Sequence, residues 1–317
     1  MSHFPINQAT PQGTMSDHSN TETIVYGQVH NLQNINVTTL APRQDGYWVV
    51  YIHGGAWRDP AVTSASFDAT ESILREKGLP IAGFASISYR LSAHPNHPQD
   101  PSTTDPKDFQ DAKHPDHIAD VEAALAFLQN TYRFGERYIL VGHSCGATLA
   151  FQAVMGAVSG HREQATLTAQ PTAIVGVASI YDLRRLRDIH VDISAYQEFI
   201  EGAFGADETL WDGVSPARVA GSRGVEAGWK SGRLAVLAYS KDDGLVDGSQ
   251  VEAMKEALGN WEKIEAQIPA QQDSNPDRRL RVLSISGIHD EAWENGDQLA
   301  RAVTFAFEQL QEMRLAP

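Results

Sequence analysis

The chain is expected to adopt an α/β fold, a mainly parallel twisted sheet with helices on both faces. Two patterns and the length of 317 residues point to it. From Tyr47 onward β-rich apolar runs alternate with segments of 3.6-residue apolar spacing, the order that builds a parallel sheet covered on both sides. Residues able to do chemistry cluster just after those β runs, where open α/β sheets collect ligand-contacting groups.

Strands are expected over residues 47–52, 81–89, 138–141, 173–179, 234–239 and 280–285, and helices over 64–76, 117–132, 145–158, 248–258 and 292–313. Two short β-prone runs, 24–26 and 35–40, read as an antiparallel lead-in at the edge of the sheet. Before them, residues 1–22 are rich in Ser, Thr, Gln, Asn and Pro and read as a loosely ordered arm. The rest, 23–317, fits a single catalytic domain. Residues 180–228 interrupt the alternation with short helical stretches over 181–187, 193–204 and 210–211, a cap-like insertion suited to covering a site.

Gly142-His143-Ser144-Cys145-Gly146 follows one β run and opens a helix, the context of a nucleophile elbow. There a serine occupies a strained strand-to-helix turn, and small neighbours let the backbone lift the hydroxyl clear of the sheet. About 90 residues upstream, His53-Gly54-Gly55-Ala56-Trp57 follows another strand at the spacing expected of an oxyanion loop. Its glycines can turn N–H groups toward a developing oxyanion, and Gly54, Gly55 and Ala56 are the expected donors with the Cys145 N–H.

Downstream, acid and histidine follow the serine in the order Ser, Asp, His, which differs from both common protease orders. The histidine is His289, after the last strand. Asp242 and Asp243 follow the 234–239 strand, and Asp247 and Asp290 are weaker rivals; adjacent residues such as Asp290 and His289 seldom face each other.

Composition narrows the function. A formal net charge of -15 would repel nucleic acid and anionic lipid. The single cysteine, Cys145, precludes an intrachain disulfide. No basic segment precedes an apolar stretch at the N-terminus, and no apolar run of spanning length occurs, so a cytoplasmic protein acting on a small molecule is expected, with no membrane or nucleic-acid partner. Two His-x-x-His pairs, His94/His97 and His114/His117, lie in a Pro-rich stretch without cysteines and are read as loop or capping histidines, so no metal is expected. The helix over 292–313 is amphipathic enough to cover the sheet or a partner, which leaves room for a homodimer.

Trp57, Tyr181, Phe199 and Phe204 are candidate walls of a substrate pocket, against an alternative of ordinary core packing. Arg90 and Asp182 could bind a substrate's polar end, although an arginine just after a strand more often braces loops.

With these segments placed, the chain resembles the kynurenine formamidase (arylformamidase) family of α/β-hydrolases. The resemblance rests on His53-Gly54-Gly55-Ala56-Trp57, Ser88-Tyr89-Arg90-Leu91-Ser92, His114-Pro115-Asp116-His117-Ile118-Ala119-Asp120-Val121, the elbow, Asp243 and His289. It implies the α/β-hydrolase fold and selects Asp243, three before Val246, as in the family's Asp-x-x-Val loop. It also implies hydrolysis of N-formyl-L-kynurenine to L-kynurenine and formate by Ser144, Asp243 and His289 without a cofactor, in tryptophan breakdown and NAD synthesis. A carboxylesterase for small esters would use the same residues. A ligand-binding protein on a retired scaffold would be expected to lack a triad member, and none is missing.

Overall fold

The structure, a computed structural model, describes residues 20–156, 169–263 and 278–317. Strands β1 (Asn20–Val25) and β2 (Asn34–Thr39) lead into β3 (Tyr47–Ile52), α1 (Asp68–Glu76), β4 (Ile81–Ile87), α2 (Asp116–Tyr132), β5 (Tyr138–His143), α3 (Cys145–Gln152) and β6 (Ala173–Val177). The chain continues through α4 (Leu183–Ile189), α5 (Ser194–Phe204), α6 (Glu208–Val214), α7 (Val225–Gly228), β7 (Leu234–Ser240), α8 (Ser249–Leu258), β8 (Arg279–Ile285), α9 (Glu291–Glu294) and α10 (Asp297–Glu312). The expected arm lies outside the described residues except for its last three, which already belong to β1.

The strands form one sheet in the order β1-β2-β4-β3-β5-β6-β7-β8. The β1–β2 and β2–β4 pairs are antiparallel and all others parallel. Every residue of β3, β5 and β6 is buried. That is why these segments read as continuous apolar runs without alternation. Trp48, Val50 and Ile52 enter one core with α2, α3 and α8, whereas Tyr47, Val49 and Tyr51 enter the other with α1 and α10. Fully burying each Val or Ile of this kind contributes about 1.5–3 kcal/mol.

The order also fixes where a site can form. The chain leaves β3 for β4 on one side and returns to β5 on the other, so β3 and β5 meet at a topological switch point. Their register pairs Ile52 with Gly142. The segments after these strands therefore emerge side by side at the carboxyl edge of the sheet.

Departures from the expected elements have local causes. The helix expected over 64–76 opens as a 3-10 turn, Ser64–Phe67, capped by the Thr63 hydroxyl, which accepts from the Ala65 N–H at 3.3 Å. The helix expected over 292–313 is broken into α9 and α10 by Gly296 at φ 75°, where a Cβ would lie 2.6 Å from the Ala69 carbonyl carbon and Thr70 N. A side chain there would collide with α1. The helix expected over 145–158 ends at Gln152, and its last two residues lie outside the described ones. In the insertion, Asp182 caps α4 by accepting from the Arg185 N–H at 3.0 Å, and Asp207 caps α6 by accepting from the Thr209 N–H at 2.9 Å. The short α7, and the 3-10 turn Gly221–Arg223 before it, were not expected from the sequence.

Three histidines, His53, His117 and His143, are buried with this core. Burial, ahead of all other influences, pushes them down to about 4, 3 and 3 respectively. They stay neutral in the native protein, while in the unfolded chain they take up protons below their ordinary value of 6.5. Their contribution to stability is thus fully present above pH 6.5 and is lost as the pH falls toward the native values. Each contributes a slope of about 1.4 kcal/mol per pH unit once its unfolded form is charged, or ~4 kcal/mol per unit for the three. Urea midpoints measured between pH 8 and pH 4.5 are expected to be nearly level above pH 7 and to drop steeply below about pH 6; a flat profile to pH 5 would contradict neutral burial.

Candidate active site

Ser144 stands between β5 and α3 at φ 51°, ψ −124°. A non-glycine residue at positive φ is held there only when its surroundings over-determine it, and the two flanking glycines show how. A Cβ on Gly146 would overlap the Ile52 carbonyl oxygen and stand 2.5 Å from that of His53. On Gly142 it would overlap the Ala147 backbone and stand 2.6 Å from the Gly146 carbonyl carbon. Small residues are therefore a steric requirement at both positions. The Ser144 N–H donates to the Val177 carbonyl at 2.9 Å, tying the turn to the neighbouring strand. Cys145 is the first residue of α3, so its N–H has no acceptor within the helix.

The segment after β3 closes on this turn. Gly54 touches the elbow: a Cβ there would lie 2.8 Å from His143 Nδ1 and 3.1 Å from Ser144 Cβ. Gly55, Ala56 and Trp57 follow at φ 90°, 49° and 61°, three consecutive left-handed residues. Only the first is a glycine, and each of the others costs roughly 1–2 kcal/mol. The Gly55 carbonyl accepts from Arg58 N at 2.9 Å and Asp59 N at 2.8 Å, which closes the turn. The Trp57 N–H donates to Cys145 Sγ at 3.3 Å, so this amide is committed to the elbow. The Tyr89 hydroxyl donates between the carbonyl oxygens of His53 and Gly54, 3.0 and 3.2 Å away, and the His53 ring stacks on Tyr89 at 4.4 Å. His53 Nδ1 donates to the Gly54 carbonyl at 2.9 Å. Cys145 is buried, which pushes its thiol up to about 11.

His289 and Asp243 come together across the ends of β8 and β7. His289 Nδ1 lies 2.8 Å from Asp243 Oδ2, and both side chains are buried. The other carboxylate oxygen, Oδ1, accepts from Leu245 N and Val246 N, each at 2.9 Å. Burial alone would raise the Asp243 carboxyl; the His289 hydrogen bond and charge, with the Val246 and Leu245 amides, outweigh it and hold the carboxyl below the usual range. The rival carboxylates are engaged elsewhere: Asp247 accepts from Ser249 N at 2.7 Å and Asp290 from Trp293 Nε1 at 3.0 Å, while Asp242 is exposed. His289 is brought to the elbow through its main chain, whose carbonyl accepts from His143 Nε2 at 3.0 Å.

The insertion lies over the oxyanion loop. Phe204 of α5 meets the Trp57 indole edge-on at 5.0 Å and Phe199 meets it at 6.2 Å. Trp57 is fully buried, Phe204 buried and Phe199 half-buried. Tyr181 is placed differently, fully buried in the core against Gly176 with its ring edge-on to Phe151 at 5.5 Å. Tyr196, also on α5, donates from its hydroxyl to the Leu245 carbonyl at 2.7 Å, linking insertion and acid loop.

Arg90 is a brace. Its Nε and Nη2 donate to the two oxygens of Asp120 at 2.8 and 2.9 Å, and Asp120 also accepts from the Arg90 N–H and Gln33. Asp116 lies 3.2 Å from the same guanidinium. Asp182, besides capping α4, lies 3.3 Å from Arg218. His117 Nε2 donates to Ser92 Oγ at 3.0 Å, and the His94 and His97 rings stand 4.8 Å apart. Among the described residues no group of three or more His, Cys, Asp or Glu side chains is arranged to hold a metal ion. Among them, too, no helix is long and apolar enough to cross a membrane.

Two participants are not evident from the sequence as functional residues, the Tyr89 hydroxyl beneath the oxyanion loop and the His143 imidazole behind His289. The available signal was a polar side chain at the end of an otherwise apolar buried strand, which needs a hydrogen-bond partner.

The model of the alpha/beta hydrolase family matches residues 49–301. The kynurenine formamidase-like hydrolase fscH of Fusarium equiseti is 40% identical over 275 residues, covering 86% of each chain. Kynurenine formamidase avaC of Aspergillus versicolor is 34% identical over 277 residues, 81% of this chain and 87% of that one. Among solved structures, esterase 2 of Thermogutta terrifontis phosphonylated by sarin superimposes with a TM-score of 0.62 at 18% identity, covering 93% of this chain and 96% of its own. Esterase B from Lactobacillus Rhamnosis gives 0.60 at 16% identity, with 94% and 87% covered. Likeness at such identities bears on the fold alone. The chain belongs to the α/β-hydrolase family of enzymes, in its kynurenine formamidase group.

Proposed function

We propose that the protein hydrolyses N-formyl-L-kynurenine to L-kynurenine and formate, a reaction of tryptophan breakdown, with Ser144 as nucleophile, His289 as general base and acid, and Asp243 as the group that orients the imidazole. The observation that carries this reading is the 2.8 Å His289–Asp243 pair, docked onto His143, the residue before Ser144. The names of the two relatives supply the formamide as substrate class.

In this mechanism His289 takes the hydroxyl proton of Ser144 as the oxygen attacks the formyl carbon. Asp243 keeps the imidazole in the tautomer with hydrogen on Nδ1 and stabilises its charged form. Its depressed pKa suits that task, because the carboxylate stays ionised while the imidazolium forms. The amides of Gly54, Gly55 and Ala56, with that of Cys145, are the proposed donors to the oxyanion, and the Trp57 amide donates to Cys145 Sγ. His289 then protonates the departing aromatic amine. A formyl ester remains on Ser144, and water, deprotonated by His289, hydrolyses it to formate and free serine. An aromatic amine is a comparatively easy nitrogen leaving group, which suits an esterase-like site.

Trp57 supports the oxyanion loop rather than walling a pocket. Pinned at its amide by Cys145 and at its ring by Phe204 and Phe199, the fully buried indole offers no surface to a substrate and forms the packing on which the loop rests.

Turnover of N-formyl-L-kynurenine measured beside p-nitrophenyl acetate is expected to favour the formamide. Ser144→Ala should abolish both activities, and Asp243→Asn should reduce kcat by about 10³- to 10⁴-fold with the fold intact. Efficient ester cleavage with negligible formamide turnover would instead identify a small-ester carboxylesterase.

A further inference from the structure

We infer that His143, the residue before the nucleophile, is a positioning residue that sets His289 against Ser144 through a main-chain hydrogen bond. The inference rests on the triad reading above and adds a fourth side chain to it.

The geometry leaves one role for each edge of the His143 ring. Nε2 lies 3.0 Å from the carbonyl oxygen of His289. A carbonyl can only accept, so Nε2 carries the hydrogen. The ring is buried and neutral, its basicity lowered first by burial and then by the neighbouring His289, which leaves Nδ1 bare. Nδ1 faces Gly54, close enough that a Cβ there would stand 2.8 Å away, and it has no hydrogen-bond partner. The tautomer is therefore fixed by the His289 carbonyl alone. The ring centroids of His143 and His289 stand 4.7 Å apart.

This bond is the short route between base and nucleophile. Ser144 is covalently next to His143, and His143 holds the main chain of His289. Asp243 fixes the imidazole from its other side, at Nδ1. Without the His143 bond, the His289 loop retains the Ile288 N–H bond to Glu291 at 3.0 Å and the Ser286 N–H bond to Gln298 at 3.3 Å, both at its solvent side. Gly287 at φ 93° leaves that loop a soft point two residues before the base. Asp243 alone would orient the ring but would not hold it at reacting distance, and displacement by about an ångström costs on the order of 100-fold in rate.

The test compares His143→Gln, His143→Leu and His143→Asn. Glutamine places its amide nitrogen the same number of bonds from Cα as the imidazole Nε2, asparagine is one bond short, and leucine keeps apolar bulk without a donor. Turnover of p-nitrophenyl acetate and the rate of Ser144 labelling by a small fluorophosphonate both need the base but not the proposed substrate. Leucine and asparagine should lower kcat by about 10- to 100-fold with KM within about threefold, and glutamine should recover most of the loss. Thermal midpoints show whether each variant is folded. Wild-type kcat in a folded leucine variant, or glutamine no faster than asparagine, overturns the inference. Ser144→Ala and His289→Ala serve as controls: if these retain turnover, the triad assignment fails instead.

Discussion

The structure depends on a steric clearance of zero between α3 and the end of β3. Gly146 leaves room for nothing but hydrogen against the Ile52 and His53 carbonyls, and Gly142 leaves none against Ala147. Because the helix can come that close, the elbow and the following loop of β3 share one edge of the sheet. Ser144 is then forced to positive φ, and Gly54 rests against it. Any side chain at Gly146 would lever the helix away and separate Ser144 from the amides proposed to receive the substrate's oxyanion.

Around this contact the protein has arranged neutral imidazoles and one ionised carboxylate. His53 and His143 are held uncharged by burial, while Asp243 is kept ionised by a histidine and two backbone amides. In the proposed mechanism charge can therefore develop at His289, beside its counter-ion, without a second cation in the same space. A buried carboxylate that accepts three hydrogen bonds is also a rigid one. Tyr196 ties its loop to the overlying helices, so the geometry of the acid is anchored from the insertion as well as from the sheet.

Much of this was legible in the sequence for identifiable reasons. The central strands are buried on both faces, so their apolar runs were unmistakable, and Gly-x-Ser-x-Gly and His-Gly-Gly-Ala-Trp mark backbone paths that few residues permit. Element ends were less legible. The break at Gly296 depends on how closely α1 approaches, a tertiary fact with no local signature. Tyr181 and Trp57, candidate walls against an alternative of core packing, are both fully buried, because aromatic residues look alike in a sequence whichever surface they face. Among the acids, only the resemblance to the family's Asp-x-x-Val loop singles out Asp243 in the sequence; in the structure the loop brings two amides to one of its oxygens and His289 to the other. Tyr89 and His143 were hidden for the opposite reason: each contacts backbone carbonyls, and a carbonyl has no residue identity to recognise.

The thiol beside Ser144, the proposed nucleophile, carries a last consequence. Sulfur is intrinsically the better attacking atom, and Cys145 follows Ser144 directly, yet its Sγ serves as an acceptor for the Trp57 amide and its pKa stands at about 11. Near neutrality the thiolate, the form that alkylating agents and peroxides attack, is scarce. The same folding that bares the oxygen has silenced a rival nucleophile one residue away, and with it the most direct route by which an oxidant could poison the site.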